Sequence, residues 1–238
     1  MKKIFLFAVF VVFAVSIMAQ QTNIANYDKH NFSITFGYAF RISKMDYSFL
    51  NTNIDEDHKR TMRHALNMDF DYGYRFCKSF AIGVKLSGLG SFDSYKSAYS
   101  TDANEIILSD NTYILYAGPT FTYLLPTFAK HFTFFVNATI GYMGYRNTIK
   151  YDQMVYNATT QVDEVKVIPA TYTGSCFGYG FGAGIDYELV KNISVGLNAG
   201  FLAGSLSTLN FEDNSIDISN SKEDLTRFNI SLGLKVKM

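Results

Sequence analysis

Apolar and polar residues alternate with a period of two through almost the whole chain after residue 30. In the last segment, from Phe228 to Met238, the even positions are all apolar, and the odd positions are Asn, Ser, Gly, Lys and Lys. Because successive side chains of a β-strand point to opposite faces, this alternation predicts a strand with one apolar and one polar face. The apolar positions of this last strand are Phe228, Ile230, Leu232, Leu234, Val236 and Met238.

Seven further segments alternate in the same way, so the sequence predicts an all-β fold of eight antiparallel strands. Their apolar faces begin at Phe32, Leu66, Phe80, Tyr113, Phe132, Phe177 and Ile193, and no charged residue interrupts them. The opposite faces carry small and polar residues, including most of the 17 glycines. These faces also carry charged side chains, namely Arg41, Asp69, Asp71, Arg75, Lys85, Asp186, Glu188, Arg227, Lys235 and Lys237.

The connections between these segments alternate in length. Residues 77–79, 126–131 and 190–192 form short turns, whereas the segments near 48–62, 97–111, 150–168 and 208–224 are long and rich in Asn, Asp, Ser and Thr. Such alternation places every long loop at the same end of an up-and-down antiparallel sheet. The pattern therefore predicts one barrel domain over residues 30–238, with short turns at one end and long loops at the other.

Two kinds of β-barrel fit this alternation, and the volume of the interior decides between them. A soluble barrel such as a lipocalin turns its apolar face inward, whereas a membrane barrel turns it toward lipid. Eight strands enclose only enough space for side chains to fill or for one small ligand, which is too little for so many Phe and Tyr side chains. We therefore expect the apolar face to contact lipid, since closure of the barrel satisfies the backbone groups of every strand. Interfacial girdles would come from Tyr38, Tyr72, Tyr74, Tyr113, Tyr123, Tyr142 and Tyr187.

The first twenty residues have the layout of a secretory signal peptide. Two lysines precede an uncharged segment from Ile4 to Ile17, and Ala19 provides a small residue for cleavage. Cleavage after Ser16 is an alternative. The apolar segment is shorter than the about 20 residues that a membrane-spanning helix needs. We therefore assign residues 1–19 to a signal peptide and residues 20–29 to a short lead-in before the barrel.

Composition removes several classes of function. Lys plus Arg and Asp plus Glu both number 21, so the formal net charge is zero. A nucleic-acid partner is not expected, because phosphate binding along a nucleic acid needs a basic face. An apolar fraction of 48% excludes a disordered chain. The two cysteines, Cys77 and Cys176, fall at different heights of the predicted barrel, so we expect two free thiols.

The chain resembles the small eight-stranded outer-membrane barrels, the group of the OmpA barrel domain and OmpX. The resemblance covers about residues 30–238 and rests on the strand number, the loop asymmetry and the terminal strand. It implies a location in the outer membrane of a Gram-negative-type bacterium, with the loops facing the exterior. It also implies that the terminal strand is the signal recognised by the barrel-assembly machinery, although Met238 stands where the family usually ends in Phe.

Two positions interrupt the regular pattern. Pro119 lies inside a predicted strand, where it removes a backbone donor, so we expect a β-bulge there. The alternation also slips between Gly88 and Ser91, which leaves the register beyond that point open.

The charged side chains expected inside the barrel need partners, because an unpaired buried charge costs several kcal/mol. If the turn at residues 77–79 is symmetric, Asp71 lies directly opposite Lys85, and we predict this ion pair. At the inner rim a second group should meet, consisting of Asp186, Glu188, Lys235, Lys237 and Arg75. We interpret these charges as a structural plug, and the alternative is a narrow pore gated by the same pairs.

The sequence predicts no catalytic, cofactor-binding or metal-binding residues. Gly178–Gly184 has glycines at every second position but lacks the spacing of a nucleotide-binding loop. The histidines, His30, His58, His64 and His131, belong to no known catalytic motif, and His64 should face outward near the outer rim. The acidic loop residues are interpreted as solvated charges, namely Asp55, Glu56, Asp57, Glu212, Asp213, Asp217, Glu223 and Asp224.

Together these patterns predict an integral outer-membrane β-barrel with a structural or surface-interaction role and a lumen plugged by polar and charged side chains. Two alternatives stay open: a narrow, porin-like diffusion pore and a lipid-modifying outer-membrane enzyme. The expected partners are outer-membrane lipid and lipopolysaccharide, the barrel-assembly machinery during biogenesis, and an extracellular ligand at the loops. The protein is expected to be a monomer without enzymatic activity or a cofactor.

Overall fold

A computed structural model closes the alternating segments into a ring of eight antiparallel strands. It describes residues 28–43, 56–96, 107–125, 131–157, 162–211, 214–219 and 222–238, so the expected signal peptide lies outside the described residues. The ring consists of β1 (His30–Arg41), β2 (His64–Arg75), β3 (Phe80–Lys96), β4 (Ile107–Leu124), β5 (Phe132–Asn157), β6 (Val162–Val190), β7 (Ile193–Leu206) and, after the short β8 (Thr208–Phe211), β9 (Asn214–Asp217) and β10 (Glu223–Asp224), the terminal β11 (Arg227–Lys237). Strand β11 pairs with both β7 and β1 and closes the barrel, which confirms the predicted architecture.

The strand registers determine the width of the barrel. A hydrogen-bonded row that starts at Asn31 on β1 passes through Gly73, Gly83, Thr120, Thr139, Gly180, Leu202 and Arg227 and returns to β1 at Arg41. The row therefore climbs ten residues in one circuit, from position 31 to position 41. With eight strands this stagger corresponds to a strand tilt of about 40° and a backbone radius of about 8 Å. Side chains can fill an interior of this width.

The apolar faces point away from the barrel axis, as predicted. Leu66 is 71% exposed, Phe181 is 61% exposed and Phe36 is 57% exposed, although all three lie within strands that pair on both sides. The inward-facing Ala39 and Arg41 on the neighbouring positions of β1 are fully buried. A continuous apolar belt of this size is unfavourable in water, whereas lipid accepts it and the closed ring leaves no strand edge unpaired.

Both expected irregularities turn out differently. We expected a bulge at Pro119, but this prediction is wrong: β4 pairs with β5 in one register on both sides of Gly118 and Pro119, and between Leu108 and Leu124 only these two positions lack a partner on β5. The missing N–H of proline thus removes a contact without inserting a residue. The alternation also does not slip in β3, because Leu89 points inward between two outward glycines and is only 3% exposed. An apolar residue on the lumen-facing side of β3 therefore looks in the sequence like a break in the alternation, although the register of the strand is continuous.

The outer end of the barrel contains more regular structure than the long polar segments indicated. A short helix, α1 (Glu56–Thr61), lies between β1 and β2. Strands β5 and β6 continue beyond their neighbours, and residues 152–157 and 162–167 pair only with each other among the described strands. Strand β8 pairs with β6 and β9, and β10 pairs with the end of β7. No helix in the described part of the chain is long and apolar enough to span a bilayer.

Candidate functional site in the lumen and outer mouth

A lysine that bridges two aspartates occupies the inner half of the lumen. Asp71 lies directly opposite Lys85 in the register of β2 and β3, and Lys85 Nζ is 3.3 Å from Asp71 Oδ1, so the predicted pair is confirmed. The same Nζ is also 3.2 Å from Asp69 Oδ2. Asp69 accepts further hydrogen bonds from Ser87 Oγ and from the side-chain amides of Asn67 and Asn229. Asp69 therefore accepts more hydrogen bonds than Asp71, although its side chain is only 3% exposed.

Two further ion pairs lie near the inner rim. Lys235 donates to Asp186, and Lys237 Nζ is 3.2 Å from Glu188 Oε2. Asp186 reaches β11 from β6 by crossing β7 at Gly196, where a Cβ atom would lie 2.4 Å from Asp186 Oδ1. A side chain at position 196 would therefore push the Asp186 carboxylate away from its present position. The sequence placed these four residues together, and the structure does the same.

A cavity of about 80 Å³ lies among these charges. Its lining includes Asp71, Lys85, Asp186, Lys235 and Arg75, together with asparagine side chains from several strands. If one water needs about 15 Å³, the cavity has room for a few water molecules. The inner half of the lumen is therefore polar, as the sequence predicted.

The outer half of the lumen combines an apolar cluster with buried polar side chains, so the polar plug predicted for the whole lumen is interrupted here by apolar packing. The largest inward members of the cluster from the barrel wall are Leu89, Ile114, Tyr116, Met143, Tyr145, Leu202 and Leu206. Leu209, Ile218 and Leu225 from the segment between β7 and β11 complete the same cluster. These side chains bury their apolar surface against one another inside the barrel, which is the favourable arrangement for groups that would otherwise face water.

Two arginines from the closing strands meet above the polar half. Arg41 and Arg227 face each other in the register of β1 and β11, and both are fully buried. Arg227 Nη2 donates to Ser87 Oγ at 2.7 Å. Arg41 Nη2 donates to Glu223 Oε1 at 2.6 Å and to the carbonyl of Asp224 at 2.7 Å. The interpretation of Glu223 as a solvated loop charge is therefore wrong, since this residue is 1% exposed and neutralises a lumen arginine.

A histidine closes the outer mouth beside the apolar cluster. Asp93 on β3 and Asp110 on β4 are directly opposite each other, which is unfavourable for two carboxylates. His58 from α1 lies between them, with Nδ1 2.7 Å from Asp93 Oδ2 and Nε2 3.2 Å from Asp110 Oδ2. Both ring nitrogens of His58 therefore face carboxylate oxygens, which are hydrogen-bond acceptors. Sequence reasoning missed this site, although the inward positions of both aspartates on paired strands pointed to a missing cation.

The barrel wall and the last outer segment hold this mouth together. Asp110 also accepts a hydrogen bond from the side-chain amide of Asn147, which in turn contacts Thr112. In the last outer segment, the side chain and backbone of Ser219 donate to Asp217, and these bonds lower the pKa of the Asp217 carboxyl. The turn they form directs Ile218 inward, where it is 5% exposed.

The residues of the expected assembly signal all lie on the outward face of β11. Phe228, Ile230, Leu232, Leu234 and Met238 are exposed, and Val236 is half-buried. The strand therefore presents an uninterrupted apolar row toward lipid, and the prediction that the assembly machinery recognises this row stays a prediction.

Comparison with protein families agrees with this architecture. Residues 41–237 match the family described as "Outer membrane protein beta-barrel domain". The chain belongs to this family. The outer-membrane β-barrel family thus accounts for the closed ring, the lipid-facing belt and the location in the outer membrane of a Gram-negative-type bacterium. No curated protein matches the chain.

Several solved outer-membrane proteins have a similar barrel. Neisserial surface protein A is 12% identical, with a TM-score of 0.46, and the alignment covers 88% of this chain and 97% of that one. Ail, the attachment invasion locus protein of Yersinia pestis, solved with the heparin analogue sucrose octasulfate, is 15% identical with a TM-score of 0.40 over 88% of this chain and 99% of that one. A major outer membrane protein from Thermus thermophilus is 12% identical with a TM-score of 0.47 over 88% and 99% of the two chains. At these levels of similarity the three structures carry no information about the role of this chain.

Proposed function

We propose that the protein is a closed surface-interaction barrel, which acts through the parts that project from the outer membrane rather than as a channel or an enzyme. The observation that carries this proposal is the apolar cluster in the outer half of the lumen. Its members come both from the barrel wall, such as Ile114, Met143 and Leu202, and from the last outer segment, such as Leu209 and Leu225. The obstruction therefore does not depend on the outer segments alone.

The outer mouth supports the same proposal against the enzymatic alternative. His58 is the histidine closest to a catalytic environment, since two aspartates flank it. Its side chain is 0% exposed, and both ring nitrogens face carboxylates. A general acid or base must reach the proton that it transfers, and a fully enclosed imidazole does not. Its contacts are those of a structural bridge between α1 and the barrel wall.

The extended β5–β6 hairpin is the part of the molecule best placed to meet a partner. Beyond Tyr151, where the pairing of β5 with β4 ends, six more residues of β5 continue in a two-stranded ribbon with β6. At about 3.3 Å per residue, this ribbon projects roughly 20 Å beyond its neighbours. The ribbon therefore extends away from the membrane surface, and the closed barrel anchors it in the membrane.

Conductance measurements test the closed lumen. The refolded protein is inserted into planar lipid bilayers beside a general diffusion porin as positive control. We expect no steady open-channel current from the wild type, because the outer half of the lumen is packed with apolar side chains. A reproducible unit conductance from pure protein would contradict the proposal and favour the pore.

Truncation of the hairpin tests the surface role. Residues 152–167 are replaced by Asn-Gly, a two-residue turn that joins the paired Tyr151 and Ile168 without changing the register. Cells displaying the wild type are expected to adhere to host-cell or extracellular-matrix surfaces more strongly than cells displaying the truncated barrel at equal surface density. Equal adhesion by both, or by cells without the barrel, would contradict a role for the hairpin.

A further inference from the structure

An arginine packs on an aromatic ring at the outer end of the lipid-facing surface. Arg63 immediately precedes β2, and its Cζ atom is 4.4 Å from the centroid of the Phe40 ring. Its Nε donates to the carbonyl of Arg41 at 2.9 Å, and its Nη2 donates to the carbonyl of Ile42 at 2.7 Å. The ring and the two carbonyls hold the planar guanidinium in one orientation at the end of β1.

This arginine retains most of its donors. A guanidinium has five N–H groups, and the two bonds to β1 leave three of them, including both on Nη1. The neighbouring Lys59 and Arg60 are paired with Glu56 and Asp57 within α1. Arg63, by contrast, takes part in none of the ion pairs that the described residues form. Within the described part of the chain, it therefore presents a positive charge that is held in place by β1 and is not paired with a carboxylate.

The surroundings place this charge at the boundary between the apolar belt and the outer surface. The His64 ring packs on Phe40 with centroids 5.3 Å apart, and its Nδ1 is hydrogen-bonded to the hydroxyl of Tyr38. On β2 the lipid-facing row runs from Tyr74 to Leu66, which with a tilt of about 40° spans roughly 20 Å of membrane thickness. The next outward position is His64, so Arg63 lies where headgroups of the outer leaflet begin.

We propose that Arg63, supported by Phe40, His64 and Tyr38, binds the phosphate group of an outer-leaflet lipid, namely the phosphorylated glucosamine headgroup of lipid A. A guanidinium matches a phosphate with two parallel N–H···O bonds, and these bonds are stronger than neutral ones. The acyl chains of the same lipid would cover the apolar belt directly below Arg63. One lipid molecule would therefore pair its phosphate with the guanidinium and bury the adjoining apolar side chains. This site goes beyond the proposed surface role, because it does not depend on what the hairpin meets.

Lipid titration in detergent micelles tests the proposal. The refolded full-length barrel is titrated with lipid A that carries both phosphates and with the same lipid A after removal of the phosphates, and bound lipid is counted by native mass spectrometry. Arg63→Ala is expected to weaken binding of the phosphorylated lipid about tenfold, the loss of one charge-assisted contact. Binding of the dephosphorylated lipid is expected to be weak and equal in both proteins.

Two matched variants separate a built site from general charge. Arg146 is an exposed arginine on the outward face of β5, opposite Tyr113, and Arg146→Ala is expected to change binding much less than Arg63→Ala. Arg63→Gln keeps a donor for the β1 carbonyls and removes the charge, so it should lose as much affinity as Arg63→Ala while folding normally. Folding of each variant is checked by its compact, heat-modifiable mobility on gels.

Three results would overturn the proposal. Unchanged affinity of a folded Arg63→Gln variant would show that Arg63 serves only to hold the end of β1. Equal losses in the Arg63 and Arg146 variants would show diffuse electrostatic attraction without a specific site. Displacement of the lipid by an excess of inorganic phosphate would show a site for a free anion rather than for a lipid headgroup.

Discussion

Replacing Lys85 by Met isolates the energetic role of the inner charge cluster. Lys85 bridges Asp69 and Asp71, and its own side chain is 13% exposed. Removing one partner of a buried pair typically costs about 3–5 kcal/mol, because the other charge stays buried without compensation. Asp69 keeps the donors Ser87 and Asn67 in this variant, so we expect a cost at the low end, about 3 kcal/mol.

The bridging geometry makes a different prediction for Asp71. Its side chain is 26% exposed, and after Asp71→Asn the lysine keeps Asp69 as a partner. Solvent screening and the remaining pair reduce the expected cost to about 1 kcal/mol. In the double variant Lys85→Met with Asp71→Asn, the orphaned carboxylate is gone, so the two costs should not add.

Urea unfolding in lipid vesicles measures these differences. Far-ultraviolet circular dichroism and the heat-modifiable gel band report the same transition, and the slope with urea is compared between variants to confirm that the unfolded states match. An Asp71→Asn cost equal to or above that of Lys85→Met would refute the bridging arrangement. Strict additivity in the double variant would refute the coupling between Asp71 and Lys85.

Four further substitutions test the outer mouth and the barrel wall. His58→Ala leaves the carboxylates of Asp93 and Asp110 facing each other and is expected to raise the population of detached α1 by roughly 100-fold. Trypsin should then cleave α1 faster, while the gel band of the folded barrel stays unchanged. An unaltered rate of cleavage would contradict the bridge formed by His58. Gly83→Val would place a Cβ 1.9 Å from a backbone oxygen and should abolish refolding, whereas Gly144→Val, with nothing within 4 Å, should refold like the wild type. Glu223→Gln leaves the fully buried Arg41 with less compensation and should lower the free energy of unfolding by about 3 kcal/mol, and a neutral effect would show that the ion pair is dispensable.

The inner half of the barrel follows from local rules, which is why the sequence predicts it well. Period-two alternation assigns each side chain to the lipid or the lumen, and a three-residue turn carries the register from β2 to β3. These two rules are enough to place Asp71 opposite Lys85. The volume argument then turns the apolar face outward, since eight strands with a radius of about 8 Å cannot enclose it.

The outer half depends on contacts that periodicity does not encode. Leu89 and Ile114 belong to the cluster of the outer lumen, yet an inward apolar residue in an alternating strand resembles an error in the pattern. His58 and Glu223 come from long segments between strands, and their partners are many positions away in the chain. Only the closed structure brings these segments over the mouth. Asp93 and Asp110 both face inward on adjacent strands, and this was the feature of the sequence that indicated a positively charged partner between them.

The opposed arginines at the closing strands have a consequence for engineering. Arg41 and Arg227 face each other across β1 and β11, the strands that close the barrel. Glu223 lies only a few residues before β11, and its carboxylate pairs with Arg41. A foreign epitope spliced between β7 and β11 would separate this carboxylate from the two guanidiniums and loosen the junction that completes the cylinder. Residues 152–157 of β5 and 162–167 of β6 pair only with each other among the described strands, so peptide display on this scaffold belongs on this hairpin.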